Sequence, residues 1–128
     1  MGVDYHIEDE LVIVSIRGYS PYGEFVEAFE RLMTDPAFCS PAKILLDGRQ
    51  AAHDPPSDRI KALAEHLGGL SAFHGSQWAT VAEPNTLLFG LGRMFCCYAE
   101  MQGICIEPFS DFGAARAWLL QTKTESPA

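Results

Sequence analysis

Apolar positions along this chain switch repeatedly between a two-residue and a helical period. Val3 to Glu8 and Leu11 to Arg17 are β-type runs separated by Asp9-Glu10, which predicts a hairpin with a tight acidic turn. Leu11-Val12-Ile13-Val14-Ser15-Ile16 is apolar almost throughout, the pattern of a strand covered on both faces. Gly18, Ser20-Pro21 and Gly23 then break the chain. Phe25, Ala28, Phe29 and Leu32 recur at helical spacing, which predicts a helix from Tyr22 to Met33 with one side turned inward.

Lys43 to Asp47 predicts a short buried strand ending in a carboxylate, with a loop from Gly48 to Pro56 after it. Asp54 before Pro55 is a helix start signal, an N-cap ahead of proline at the first helical position. Ile60, Leu63, Ala64 and Leu67 share one face of the helix that follows, and Gly68-Gly69 closes it. Gln77 to Ala82 reads as the next strand, Glu83-Pro84-Asn85 as the next helix entry, and Gly103 as that helix's end before a strand at Ile104 to Phe109. Ser110 is the expected cap of a last helix ending at Leu120. The domain then spans residues 1–120, and 121–128 reads as a frayed polar tail.

The order β-β-α-β-α-β-α-β-α predicts an α/β domain. Strands separated by single helices pair parallel, and the hairpin makes the first strand antiparallel, giving a mixed five-stranded sheet with helices packed on it.

The chain has 128 residues, the size of one domain, with 48% hydrophobic and 20% charged residues. Nine basic and 17 acidic side chains give a net charge of −8, which opposes nucleic acid and anionic lipid as partners. The N-terminus has no basic region and no apolar core, so no signal peptide is expected. Leu87 to Ala99 is apolar but interrupted by Arg93 and too short to span a bilayer. Cys39, Cys96, Cys97 and Cys105 form no Cys-x-x-Cys pair, and a cytoplasmic protein with reduced thiols is expected.

Parallel connectivity brings the strand ends Arg17-Gly18, Asp47-Gly48-Arg49, Ala82-Glu83 and Glu107-Pro108 to one edge, where open α/β sheets bind ligands. Helices starting near Asp54 and Asn85 point their N-termini there and favour anions. Arg17, Arg49, Ser57 and Asn85 therefore either surround a phosphate or carboxylate, or the two arginines pair with Asp47 or Glu83 as ordinary surface salt bridges. Asp47 alone does not make a phosphoacceptor site. The first long strand ends in Arg17-Gly18 rather than an acidic pair, and the last ends in Glu107-Pro108 with no lysine.

His6, His53, His66 and His74 never place two rings on one helical face, so no metal site and no cofactor is expected. Arg93 lies three and four positions before Cys96 and Cys97, a spacing that lowers a thiol pKa unless the cysteines are simply small buried residues. Gly90-Leu91-Gly92 falls inside a helix, so it is no dinucleotide fingerprint; it reads as a place of close packing on the sheet or on another subunit. Phe89, Met94, Phe95, Tyr98 and Met101 make that helix apolar around much of its circumference, for core packing, a homodimer surface or an apolar pocket.

Lys43 to Asp47, Arg93-Met94-Phe95, Phe109-Ser110-Asp111 and Ala114-Ala115-Arg116-Ala117-Trp118-Leu119 resemble the STAS-like superfamily, specifically the small SpoIIAA-like relatives of anti-sigma-factor antagonists. The resemblance implies a STAS-like fold and a non-enzymatic regulatory module that recognises a protein partner. In the antagonists, the loop after the middle strand carries Asp-Ser-Ser-Gly, whose second serine is phosphorylated. Counted from Asp47, the matching place is Ser57, the candidate phosphoacceptor, although its neighbours Pro55-Pro56-Ser57-Asp58 depart from the motif. The fold is also similar to that of CRAL-TRIO lipid-binding domains, which implies a small apolar or anionic ligand as the alternative.

Overall fold

A computed structural model of the protein describes residues 2–8, 11–18, 22–38, 42–51, 57–70, 73, 75–83 and 87–121. Strand β1 (Gly2–Glu8) pairs antiparallel with β2 (Leu11–Gly18), with Glu8 directly opposite Leu11. After helix α1 (Tyr22–Met33), strand β3 (Lys43–Ala51) lies parallel to β2. Helix α2 (Ser57–Gly68), β4 (Gln77–Val81), α3 (Leu87–Met101), β5 (Cys105–Phe109) and α4 (Phe112–Gln121) complete the chain. The sheet runs β1-β2-β3-β4-β5, with β2 to β5 all parallel. The expected mixed five-stranded sheet, with its one antiparallel strand, is present.

A sheet whose strands follow chain order, joined by right-handed crossovers, sends every crossover helix to the same face. The core follows that rule. Ala28, Phe29 and Leu32 of α1, Leu63, Ala64 and Leu67 of α2, and Phe95, Cys96 and Ala99 of α3 share one cluster with Val3, Val12, Val14, Ile44, Leu46, Trp78 and Ile106 of the sheet. Helix α4 follows the last strand, so no crossover confines it, and it covers the other face. There Ala115 and Leu119 pack on Leu11, Leu45, Ala79 and Val81. The alternation of β3 therefore separates two cores, Ile44 and Leu46 against Leu45.

The larger core is aromatic at its centre. Trp78 is fully buried, 5.7 Å from Phe29 and 5.5 Å from Phe73 between ring centroids. Its indole N–H is satisfied by the Ser76 hydroxyl at 2.6 Å, so the ring enters the core without an orphan donor. Helix α3 ends as expected at Gly103, whose φ of +87° lets Ile104 N–H return to the Ala99 carbonyl at 3.1 Å, a Schellman closure. Gly68 ends α2 against Gln102, whose side chain occupies the space a Cβ at position 68 would need.

Several boundaries differ from the sequence reading. Strand β3 continues through Gly48 to Ala51 instead of stopping at Asp47, because Arg17 and Gly18 of β2 still pair with Gln50 and Ala51. The register slips between Ser15 and Arg17, leaving an extra residue in β3, a β-bulge. Helix α4 is capped by Asp111 rather than Ser110: the Ala114 N–H donates to Asp111 Oδ2 at 2.7 Å. That helix also includes Gln121, assigned above to the tail; residues 122–128 lie outside the described residues, as does the Asp54-Pro55 start signal. Strand β2 is not covered throughout, since Leu11, Val12 and Val14 are buried while Ile13, Ser15 and Ile16 are half-buried. Helix α3 is not buried all round: Phe95 is inside, Phe89, Met94 and Tyr98 are half-buried, and Met101 is exposed.

Candidate functional site

The parallel strands end together at one margin of the sheet, and α2, α3 and α4 all begin there. Asp47 and Arg49 sit on this margin two residues apart, so an extended backbone puts both on the α4 face. Gly48 between them lies tight against β4; a Cβ there would come 3.2 Å from the Val81 carbonyl oxygen. Asp47 still pairs in register with Ser15 and Val81, and the bulge comes just after it, where Arg49 stands.

Arg49 grips Asp47 with two parallel bonds, Nε to Oδ1 at 2.9 Å and Nη2 to Oδ2 at 2.9 Å. Its own backbone N–H adds a third, to Oδ1 at 3.1 Å. The guanidinium carbon lies 4.6 Å from the centroid of the Phe112 ring, at the first residue of α4. The Arg49 side chain keeps 41% of its surface in solvent, whereas Asp47 keeps 15%. The carboxylate is thus the buried anchor and the guanidinium the presented group.

Electrostatics follow from this geometry. Burial pushes the Asp47 carboxyl upward, but bonds from the Arg49 side chain and backbone, with the Arg49 and Arg17 charges, outweigh it and hold the carboxyl below its ordinary range. The Asp47 hydrogen bond raises the Arg49 pKa; burial opposes this, and the charges of Asp47, Glu83 and Asp111 add to the rise. Arg49 is therefore always charged, amid three carboxylates.

Arg17 lies on the same margin but turns to Asp4 of β1, Nη1 to Oδ2 at 3.5 Å, a pair exposed on both sides. Glu83 is exposed just beyond β4. Ser57 opens α2, but its side chain lies outside the described residues, and so does Asn85. Four of the six sequence-selected residues are thus at the margin, and Asp47 and Arg49 are directly bonded there. Phe112 and Asp111 are members that sequence reasoning missed. An aromatic residue at a helix start gives no cation-binding signal by itself, and with two adjacent capping residues the expectation fell on Ser110 instead of Asp111.

Of the two readings of the α3 cysteines, Cys96 follows the one of a small buried residue. Cys96 is buried, its Sγ 3.7 Å from Thr80 Oγ1. Burial pushes its thiol up to about 11; the Thr80 hydrogen bond opposes this, and the charge of Glu100 adds to the rise, so Cys96 behaves as a small buried residue rather than an Arg93-activated thiol. Cys97 and Cys105 are exposed and free; Cys39 lies outside the described residues. Gly92 does pack on the sheet, where a Cβ would lie 3.5 Å from Thr80 Oγ1, while Gly90 meets nothing. Among the described residues, no three His, Cys, Asp or Glu side chains are grouped to hold a metal ion. No helix among them is long and apolar enough to cross a membrane.

Fold and margin together define an α/β protein with a five-stranded mixed sheet and an arginine–carboxylate–aromatic cluster at the parallel strand ends. No protein-family model matches the chain, and no curated protein matches it.

Proposed function

We propose that this protein is a STAS-like regulatory module without catalysis of its own, which recognises a protein partner through the strand-end margin around Asp47, Arg49 and Glu83. The single observation that carries the reading is the state of Arg49. Its guanidinium is immobilised by a bidentate carboxylate on one side and the Phe112 ring on the other, yet stays half-exposed. Immobilised arginines with a free edge are favoured interface anchors, because little side-chain entropy remains to be lost on binding.

The STAS-like assignment is supported by the chain-ordered sheet with three crossover helices on one face and the closing helix on the other. A protein partner is favoured over a free anion because both Arg17 and Arg49 already hold carboxylates, and Glu83 and Asp111 add negative charge beside them. An acceptor on a partner surface can share the outer edge of the guanidinium without displacing Asp47.

The reading is tested by quantitative capture from native extract with three baits: the unaltered protein, Arg49→Ala, and Lys61→Ala, an exposed change on α2. A partner retained by the first and third and lost by the second is expected. Equal recovery on all three baits sinks the margin as the recognition surface.

A further inference from the structure

The four helices are not held alike. Helices α1, α2 and α3 each lead from one strand of the sheet into the next, and each buries at least three side chains in the larger core. Helix α4 joins the sheet only through β5 among the described residues, and it buries just Ala115 and Leu119. Its Phe112, Trp118 and Leu120 are half-buried. A ten-residue helix does not persist in water without its packing, so α4 keeps its hydrogen bonds only while docked. No strand pairing runs through it, and its departure leaves the sheet and the larger core intact.

The face beneath α4 is uneven. Leu11, Leu45, Ala79 and Val81 are apolar, but Lys43 and Gln77 share their face, 5% and 4% exposed. Alternation puts Lys43 on the side of Leu45 and Gln77 on the side of Ala79, and the two stand opposite each other in the β3–β4 register. Lys43 is satisfied by the Leu119 carbonyl of α4. Gln77 Nε2 is buried with no hydrogen-bond partner among the described residues. A buried donor without an acceptor opposes the docked state, because water satisfies it once the helix lifts. Lifting also gives Lys43 water in place of that carbonyl.

We propose that α4 is a displaceable cover, which opens as one unit while the sheet and the larger core stay folded. Opening bares Leu11, Leu45, Ala79 and Val81 and takes Phe112 away from Arg49, so docking of α4 completes the strand-end cluster. The opening does not rest on the partner reading of that cluster and stands if that reading fails.

The test is native-state amide exchange on the whole protein in rising, sub-denaturing urea. The amides of Arg116 to Leu120 are expected to share one opening, with protection about tenfold or more below that of Ile44 to Leu46 and Trp78 to Thr80 and a much weaker urea dependence. Gln77→Leu removes the stranded donor and should raise protection of the same α4 amides about fivefold or more. Gln77→Met, with an unbranched side chain, serves as a second such variant. Helix α4 amides that match β3 and β4 in protection and urea slope overturn the proposal. So does protection graded from Arg116 to Leu120, the pattern of end fraying. Variants that raise protection in the sheet and leave α4 unchanged overturn it as well.

Discussion

The ammonium of Lys43, at the first residue of β3, donates to the backbone carbonyl of Leu119 in the last turn of α4 at 2.6 Å. The contact is buried and joins residues 76 positions apart. It places a positive charge at a helix C-terminus, where the aligned peptide dipoles favour one. It also satisfies a carbonyl that the helix itself leaves without a partner.

Lys43→Met keeps the length of the side chain and removes the donor. A loss of about 1–3 kcal/mol is expected, the cost of stranding a buried acceptor. Urea unfolding measures it, and an unchanged midpoint would mean that the Leu119 carbonyl has another way to be satisfied.

The two tryptophans separate core from margin. Trp78 is fully buried among three phenylalanines, so Trp78→Ala should cost about 3–5 kcal/mol. Trp118 is half-buried, 5.5 Å from the Phe109 ring, and Trp118→Ala should cost about half as much. Equal losses in chemical denaturation would contradict the partial exposure of α4's outer side.

Asp47 carries a pH signature. Its carboxyl is held below the ordinary value in the fold, so its contribution to stability is complete above the unfolded carboxylate pKa of about 3.9. That contribution is lost as pH falls through the lower folded value. Acid titration of Asp47→Asn should show a shallower loss of stability below about pH 4 than the unaltered protein. Curves that superimpose would remove Asp47 from the balance.

Cys96 should resist alkylation at pH 8 in the native protein while the exposed Cys97 reacts, a contrast read by mass-spectrometric mapping. A thiol pushed up to about 11 also keeps a proton that the unfolded chain releases above about pH 8.5. Stability should therefore be fully present below that pH and decline as pH rises toward the folded value. Rapid native labelling of Cys96 would show that α3 opens away from β4.

Order and pairing of the elements were legible because they rest on local periodicity and a topological rule. The apolar runs at Leu11 to Val14 and Lys43 to Leu46 mark buried strands, and single helices between them force parallel neighbours. The margin was legible in part, since any parallel sheet gathers its strand ends. The partner of Arg49 was not: Asp47 and Glu83 are both near it, and only the folded geometry shows that the direct bonds go to Asp47.

What the sequence by itself determined was the α/β class, the five strands, the one antiparallel pair and the closure of α3 at Gly103. Each follows from residues within a few positions of one another. The tertiary structure alone decided that Lys43 caps α4, that Phe112 lies under Arg49, that Cys96 is buried, and that Glu24 lines a groove beside the start of β1. Those facts depend on distances between segments far apart in the chain. Periodicity states which face of an element is apolar, and only packing states what that face, or its edge, meets.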